Sequence, residues 1–190
     1  MATLADGLYE LLAIFDQMEI PYLIGGSVAS SAHGYPRTTM DIDLVAAVRD
    51  DQIDELAKAL HPAFYADAPA MHRALALGRS FNLIHNASVF KFDIFPLGRD
   101  AYSRASFGRR RFIELTTLGP EPIECAVAAA EDTILRKLEW YRAGGETSER
   151  QWNDLRGVLR VSGEVLDYAY MREWAKVLKI DDLLEELLAE

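Results

Sequence analysis

A chain of 190 residues, half of them apolar, is long enough to bury a sizeable core. Twenty Lys and Arg against thirty Asp and Glu give a formal charge of −10, which repels polyanions at long range and argues against an extended nucleic-acid footprint. The single cysteine, Cys125, excludes an internal disulfide and a paired redox site.

Leu4, Leu8, Leu11, Leu12 and Phe15 recur at helical spacing and predict an amphipathic helix over residues 3–18. Pro21 breaks it. Ile20 to Ile24 is short, apolar and β-rich and runs into Gly25-Gly26-Ser27, followed by the small-residue stretch Val28 to Ala32, which predicts strand, tight turn and helix. Met40 to Ala46 forms the next strand. Its apolar positions Met40, Ile42 and Leu44 take one face and leave Asp41 and Asp43 on the other. Residues 50–60 predict a helix with Ile53, Leu56 and Leu60 inward, and strands follow at Ser80 to His85 and Val89 to Phe95 around a turn at Asn86-Ala87. In the second of these, Phe90, Phe92 and Ile94 alternate with Asp93, which projects from the opposite face. Arg110 to Thr117 adds an edge strand closed by Gly119-Pro120. Beyond Glu124 the pattern turns helical: 127–142, 149–161, 164–178 and 181–189, with Gly144 to Ser148 as a helix-to-helix turn.

These elements predict an α/β (α+β) architecture, a mixed and mostly antiparallel sheet flanked by helices over residues 1–124, followed by a helical portion over 125–190. Asp6, Glu10, Asp16 and Glu19 punctuate the N-terminal stretch, so no signal peptide is expected, and charges interrupt every apolar run before the roughly 18 residues that span a bilayer. With no redox pair and no membrane segment, a soluble cytoplasmic protein is expected.

Asp41 and Asp43 carry the chemistry. Two carboxylates on a strand flanked by Met40, Ile42, Leu44 and Val45 repel each other and lose hydration unless protons or a cation compensate, and hard divalent ions suit oxygen ligands. Two-metal phosphoryl transfer uses such an arrangement, with carboxylates bridging ions about 4 Å apart and a third acid on a neighbouring strand. Asp93 is the candidate for that third acid. Gly25-Gly26-Ser27, at a strand-to-helix turn, offers backbone N–H groups to phosphate oxygens, and Ser27 is expected to cap the helix or touch a phosphate. Gly25 precedes Asp41 by 16 residues, room for one short helix and a return to the adjacent strand.

Gly25-Gly26-Ser27, then Arg37-Thr38-Thr39-Met40-Asp41-Ile42-Asp43-Leu44, then Phe92-Asp93-Ile94, resembles the nucleotidyltransferase superfamily typified by DNA polymerase β and kanamycin nucleotidyltransferase. Gly-Gly followed by Arg-x-Thr-x-Asp-Ile-Asp-Leu is most similar to its AbiEii-like branch, which includes toxins of toxin–antitoxin pairs, and Glu131 to Leu138 with Arg150 and Asp154-Leu155-Arg156 is similar to the helical segment of that branch. The resemblance implies transfer of a nucleoside monophosphate from a nucleoside triphosphate to an acceptor hydroxyl, with two magnesium ions held by Asp41, Asp43 and Asp93. It implies further that Asp93 lies next to the attacking hydroxyl, that Lys137 contacts the triphosphate, that Asp154 steadies it or the base, and that Arg37 and Thr39 support the triphosphate or the acid loop. The acceptor stays open among a tRNA end, a protein hydroxyl and a small molecule such as an antibiotic. The rival reading is a non-catalytic nucleotide-binding or partner-binding protein, one half of a toxin–antitoxin pair.

Elsewhere the residues read as structural. His33, before Gly34, is expected to cap carbonyls, while His61, His72 and His85 lack metal spacing and read as surface or cap residues. Arg109-Arg110-Arg111 reads as a solvated edge strand, Trp140, Tyr141, Trp152, Tyr168, Tyr170 and Trp174 as core, and Cys125 as a small buried hydrophobe.

Overall fold

The computed structural model describes residues 2–119 and 121–190, so the expected closure at Gly119-Pro120 falls partly outside the described residues. Helix α1 (Leu4–Gln17) starts at a capping box in which Thr3 and Asp6 exchange hydrogen bonds, and it buries Leu8, Leu11, Leu12 and Phe15. The chain then passes through β1 (Tyr22–Ile24), α2 (Gly26–His33), β2 (Asp41–Ala46), a 3-10 turn, α3 (Ile53–Leu60), β3 (Phe64–Tyr65), α4 (Ala68–Ala76), β4 (Phe81–His85) and β5 (Lys91–Pro96). Next come α5 (Ala101–Gly108), β6 (Arg111–Leu115) and β7 (Ile123–Val127). Helices α6 (Ala130–Ala143), α7 (Glu149–Ser162), α8 (Tyr168–Leu178) and α9 (Asp181–Leu188) complete it.

The strands form one sheet in the order β3-β4-β5-β2-β1-β7-β6. The pairs β1–β2, β3–β4, β4–β5 and β6–β7 are antiparallel, whereas β2–β5 and β1–β7 are parallel. The mixed, mostly antiparallel sheet expected from the sequence is therefore present, and β6 is an edge strand. Alternation in β2 is strict, with Ile42, Leu44 and Ala46 buried and the intervening residues partly open. Met40 departs from expectation: it precedes the strand and is exposed.

One apolar core packs α1, α3 and the sheet together; a second joins Ile134 and Leu138 of α6 to Leu155 and Val158 of α7, Met171 of α8 and Leu184 of α9. Tyr102 of α5 belongs to the second. Strand β7 was not anticipated, because Ile-Glu-Cys-Ala-Val merges in sequence with the alanines that open α6. It lies between β1 and β6, with Cys125 fully buried. His33 bonds a carbonyl as expected, but a distant one: its Nε2 donates to Ala128 O at 2.7 Å and ties the end of α2 to the start of the helical layer. His85, expected at the surface, is buried against Phe64 and meets Ser88 Oγ at 2.7 Å. Among the described residues no helix is long and apolar enough to cross a membrane.

Candidate active site

The parallel register of β2 and β5 sets Asp43 opposite Asp93 and Asp41 opposite Lys91, so the three acids share one face of the sheet. Burial, followed by the charges of Asp41 and Asp93, pushes the Asp43 carboxyl up to about 6. Thr39 Oγ1 donates to Asp41 Oδ1 at 2.8 Å and fixes that carboxylate's orientation. Lys91 Nζ lies 2.8 Å from Asp93 Oδ2, and this hydrogen bond, ahead of other causes, raises the lysine's pKa. Among the described residues no three acid, histidine or cysteine side chains already close around a single point. The acids are instead aligned along one face, with Lys91 holding one of them. Hard oxygen donors carrying excess negative charge, one of them with its carboxyl pushed up to about 6, fit a hard divalent cation such as magnesium.

The glycine turn is locked to this face. Gly25 N donates to Asp43 O at 2.8 Å, and Gly26 adopts a φ of +54°, with the Asp43 carboxylate filling the space a β-carbon would need. Gly25, rather than Ser27, is the N-cap of α2, and it makes no side-chain capping bond. The Ser27 hydroxyl is engaged elsewhere, accepting a hydrogen bond from Arg37 Nη2.

Across the cleft, Arg37 donates to Asp154 through Nε at 3.0 Å and Nη2 at 3.1 Å, and Lys137 Nζ approaches the same carboxylate at 2.8 Å. Burial alone would raise the Asp154 carboxyl; hydrogen bonds from Arg37 and Lys137 outweigh it and hold the carboxyl below the ordinary range. Lys137 moves the other way, since burial lowers its pKa against the pull of Asp154. The pairing favours both charged forms, and at Lys137 burial outweighs it.

Between the two walls lies a cavity of about 530 Å³, lined by each candidate metal- or nucleotide-binding residue read from the sequence except Thr39, which bonds Asp41. Sequence reasoning missed several of its lining residues. Arg136 lies beside Lys137, stacks 4.7 Å over the Tyr102 ring and donates to Ser103 Oγ at 3.3 Å. Trp140, expected in the core, is 53% exposed and meets Phe95 edge-on at 6.0 Å. Its position three residues after Lys137, on the same helical face, was the available signal. Asp132, at the start of α6, is buried and accepts from Tyr170 Oη at 2.7 Å; burial raises its pKa despite that bond. Arg109, placed on an edge strand by the sequence, instead ends α5 and pairs with Glu131 at 3.1 Å and Asp132 at 3.4 Å.

No known sequence family profile matches the chain. Among solved structures, it is similar to the antibiotic-resistance factor ANT(2'')-Ia in solution, with a TM-score of 0.53 and 19% identity over 90% of this chain and 92% of that one. The same factor in complex with adenylyl-2''-tobramycin aligns with a TM-score of 0.51 and 18% identity over 90% and 91% of the two chains. An antigenic nucleotidyltransferase-like protein from Paracoccidioides brasiliensis aligns with a TM-score of 0.50 and 14% identity over 96% of this chain and 91% of that one. This chain therefore has a nucleotidyltransferase-like fold.

Proposed function

We propose that the chain is a magnesium-dependent nucleotidyltransferase that moves a nucleoside monophosphate from a nucleoside triphosphate to an acceptor hydroxyl. One observation carries this reading: Asp41, Asp43 and Asp93 share a sheet face beside the Gly25-Gly26 turn, and Arg37 and Lys137 stand across the same cavity. The acceptor oxygen bonds the α-phosphorus, the bond from that phosphorus to its bridging oxygen breaks, and pyrophosphate leaves with the electron pair. Asp93 borders the attacking hydroxyl and receives its proton, which passes to solvent. Lys137, Arg37 and the N–H groups at the start of α2 bind the triphosphate, and Asp154 keeps the two cations in place. Asp41, Asp43 and Asp93 would hold magnesium, which would supply charge neutralisation on the phosphates and a lower pKa for the hydroxyl.

The finer assignment is to the AbiEii-like branch, supported by the run Arg37 to Leu44, with a cytoplasmic location and an antitoxin partner as corollaries. The acceptor is a small molecule, a tRNA end or a protein hydroxyl. The charge of −10 and the adenylyl-tobramycin complex of ANT(2'')-Ia support the first.

Incubation with each α-labelled nucleoside triphosphate, magnesium, and separate pools of RNA, protein and small metabolites tests the proposal. Label should enter one pool with equimolar pyrophosphate, and Asp43→Asn should abolish both. Nucleotide binding without pyrophosphate release in any pool would leave a non-catalytic binding protein.

A further inference from the structure

The carboxylate face contains a cation of its own. Positions 41, 43, 91 and 93 form a two-by-two block on one face of β2 and β5, and Lys91 stands in it among the three acids. Its ammonium is committed to Asp93 at 2.8 Å, whereas Asp41 is held by the neutral Thr39 hydroxyl. Three carboxylates and one ammonium leave a formal charge of −2, which a single divalent ion cancels. A second such ion on Asp93 Oδ2 would stand within about 5 Å of the lysine's like charge. The lysine has a way out: its own side chain is 43% exposed, so the ammonium can trade the more shielded Asp93, 15% exposed, for water.

We propose that Lys91 is a resident counter-ion that limits the nucleotide-free site to one divalent ion, held at Asp41 and Asp43, and that a second enters at Asp93 only when Lys91 swings into solvent. This rests on the metal-dependent reading above. It makes Lys91 a positioning residue. The ammonium spares the face from over-filling with cations before a triphosphate arrives, and its departure completes the site.

Manganese titration of the full chain, with free ion followed by electron paramagnetic resonance, tests the proposal without any turnover. Wild type should bind one Mn²⁺ per chain. Lys91→Gln should bind two, the second roughly ten-fold tighter than any second ion in wild type. Lys91→Arg, which keeps the charge, should stay at one, and Asp43→Asn should lose the first. Equal stoichiometry and affinity in wild type and Lys91→Gln would overturn the role of Lys91 while leaving the metal site standing. Absence of Mn²⁺ binding in every variant would overturn both.

Discussion

Gly26 and the Asp43 carboxylate occupy adjoining space: a β-carbon at position 26 would lie 1.8 Å from Asp43 Oδ2. Gly26→Ala must therefore displace the carboxylate and also hold an L-residue at φ +54°. We expect about 2 kcal/mol of destabilisation, read as a lower thermal midpoint, together with weaker Mn²⁺ binding. A stable Gly26→Ala protein with wild-type metal affinity would show that the turn and the acid are not coupled.

Asp43 makes the metal-free protein sensitive to pH. Its carboxyl titrates at about 6 in the fold and near 3.9 when unfolded, so between these values the native state binds more protons than the unfolded one. The Asp43 contribution is accordingly full below pH ~4 and is lost as pH rises through ~6, by about 3 kcal/mol. Asp43→Asn should be more stable than wild type at pH 7.5 without metal, the gap should close near pH 4, and divalent ions should stabilise wild type more than the variant. Chemical denaturation across this pH range measures it, and an Asp43→Asn protein less stable at pH 7.5 contradicts the crowded-charge picture.

The Thr39 hydroxyl acts through Asp41. Thr39→Val keeps the shape and removes the 2.8 Å bond, which should weaken Mn²⁺ binding about ten-fold, whereas Thr39→Ser should retain it. Unchanged affinity in Thr39→Val would reduce the residue to a loop support.

Asp154 joins Arg37 to Lys137 with all three side chains mostly shielded. Asp154→Ala leaves a buried ammonium unpaired and should cost about 3 kcal/mol in urea unfolding at neutral pH; adding Lys137→Met should recover part of that loss. Because the Asp154 carboxyl is held below its ordinary range, its contribution is present above pH ~3.9 and disappears on further acidification. If the double variant is no more stable than the single one, the ammonium's isolation is not the cause.

What could be read from the chain followed the range over which each pattern acts. The alternation that puts Asp41 and Asp43 on one face is local to a short run of residues, and the six of β2 show it. The pairing of β2 with β5 is not local: about 50 residues separate Asp43 from Asp93, and only the chemical need for a third acid, then the family resemblance, brought them together. Strand β7 escaped because a five-residue strand followed at once by alanines has no period of its own, and the helix beyond it dominates the pattern. Trp140 was assigned to the core because helical spacing fixes a face but not what that face meets, here an open cavity. Lys91 was overlooked although it precedes Asp93 by two residues. Its significance depends on the neighbouring strand, which puts Asp41 at its side.

The cavity's two walls differ in net charge. Asp41, Asp43 and Asp93 stand on the sheet side, while on the helical side Arg136 and Lys137 of α6 and Arg150 of α7 outnumber Asp132 and Asp154. Such a space is a fixed electric dipole, and an elongated guest bearing both signs lowers its energy in one heading and raises it in the other. Charge thus settles the direction of entry, and under the proposed function the uncharged rings of Phe95 and Trp140 at the cavity wall would offer a base a stacking surface.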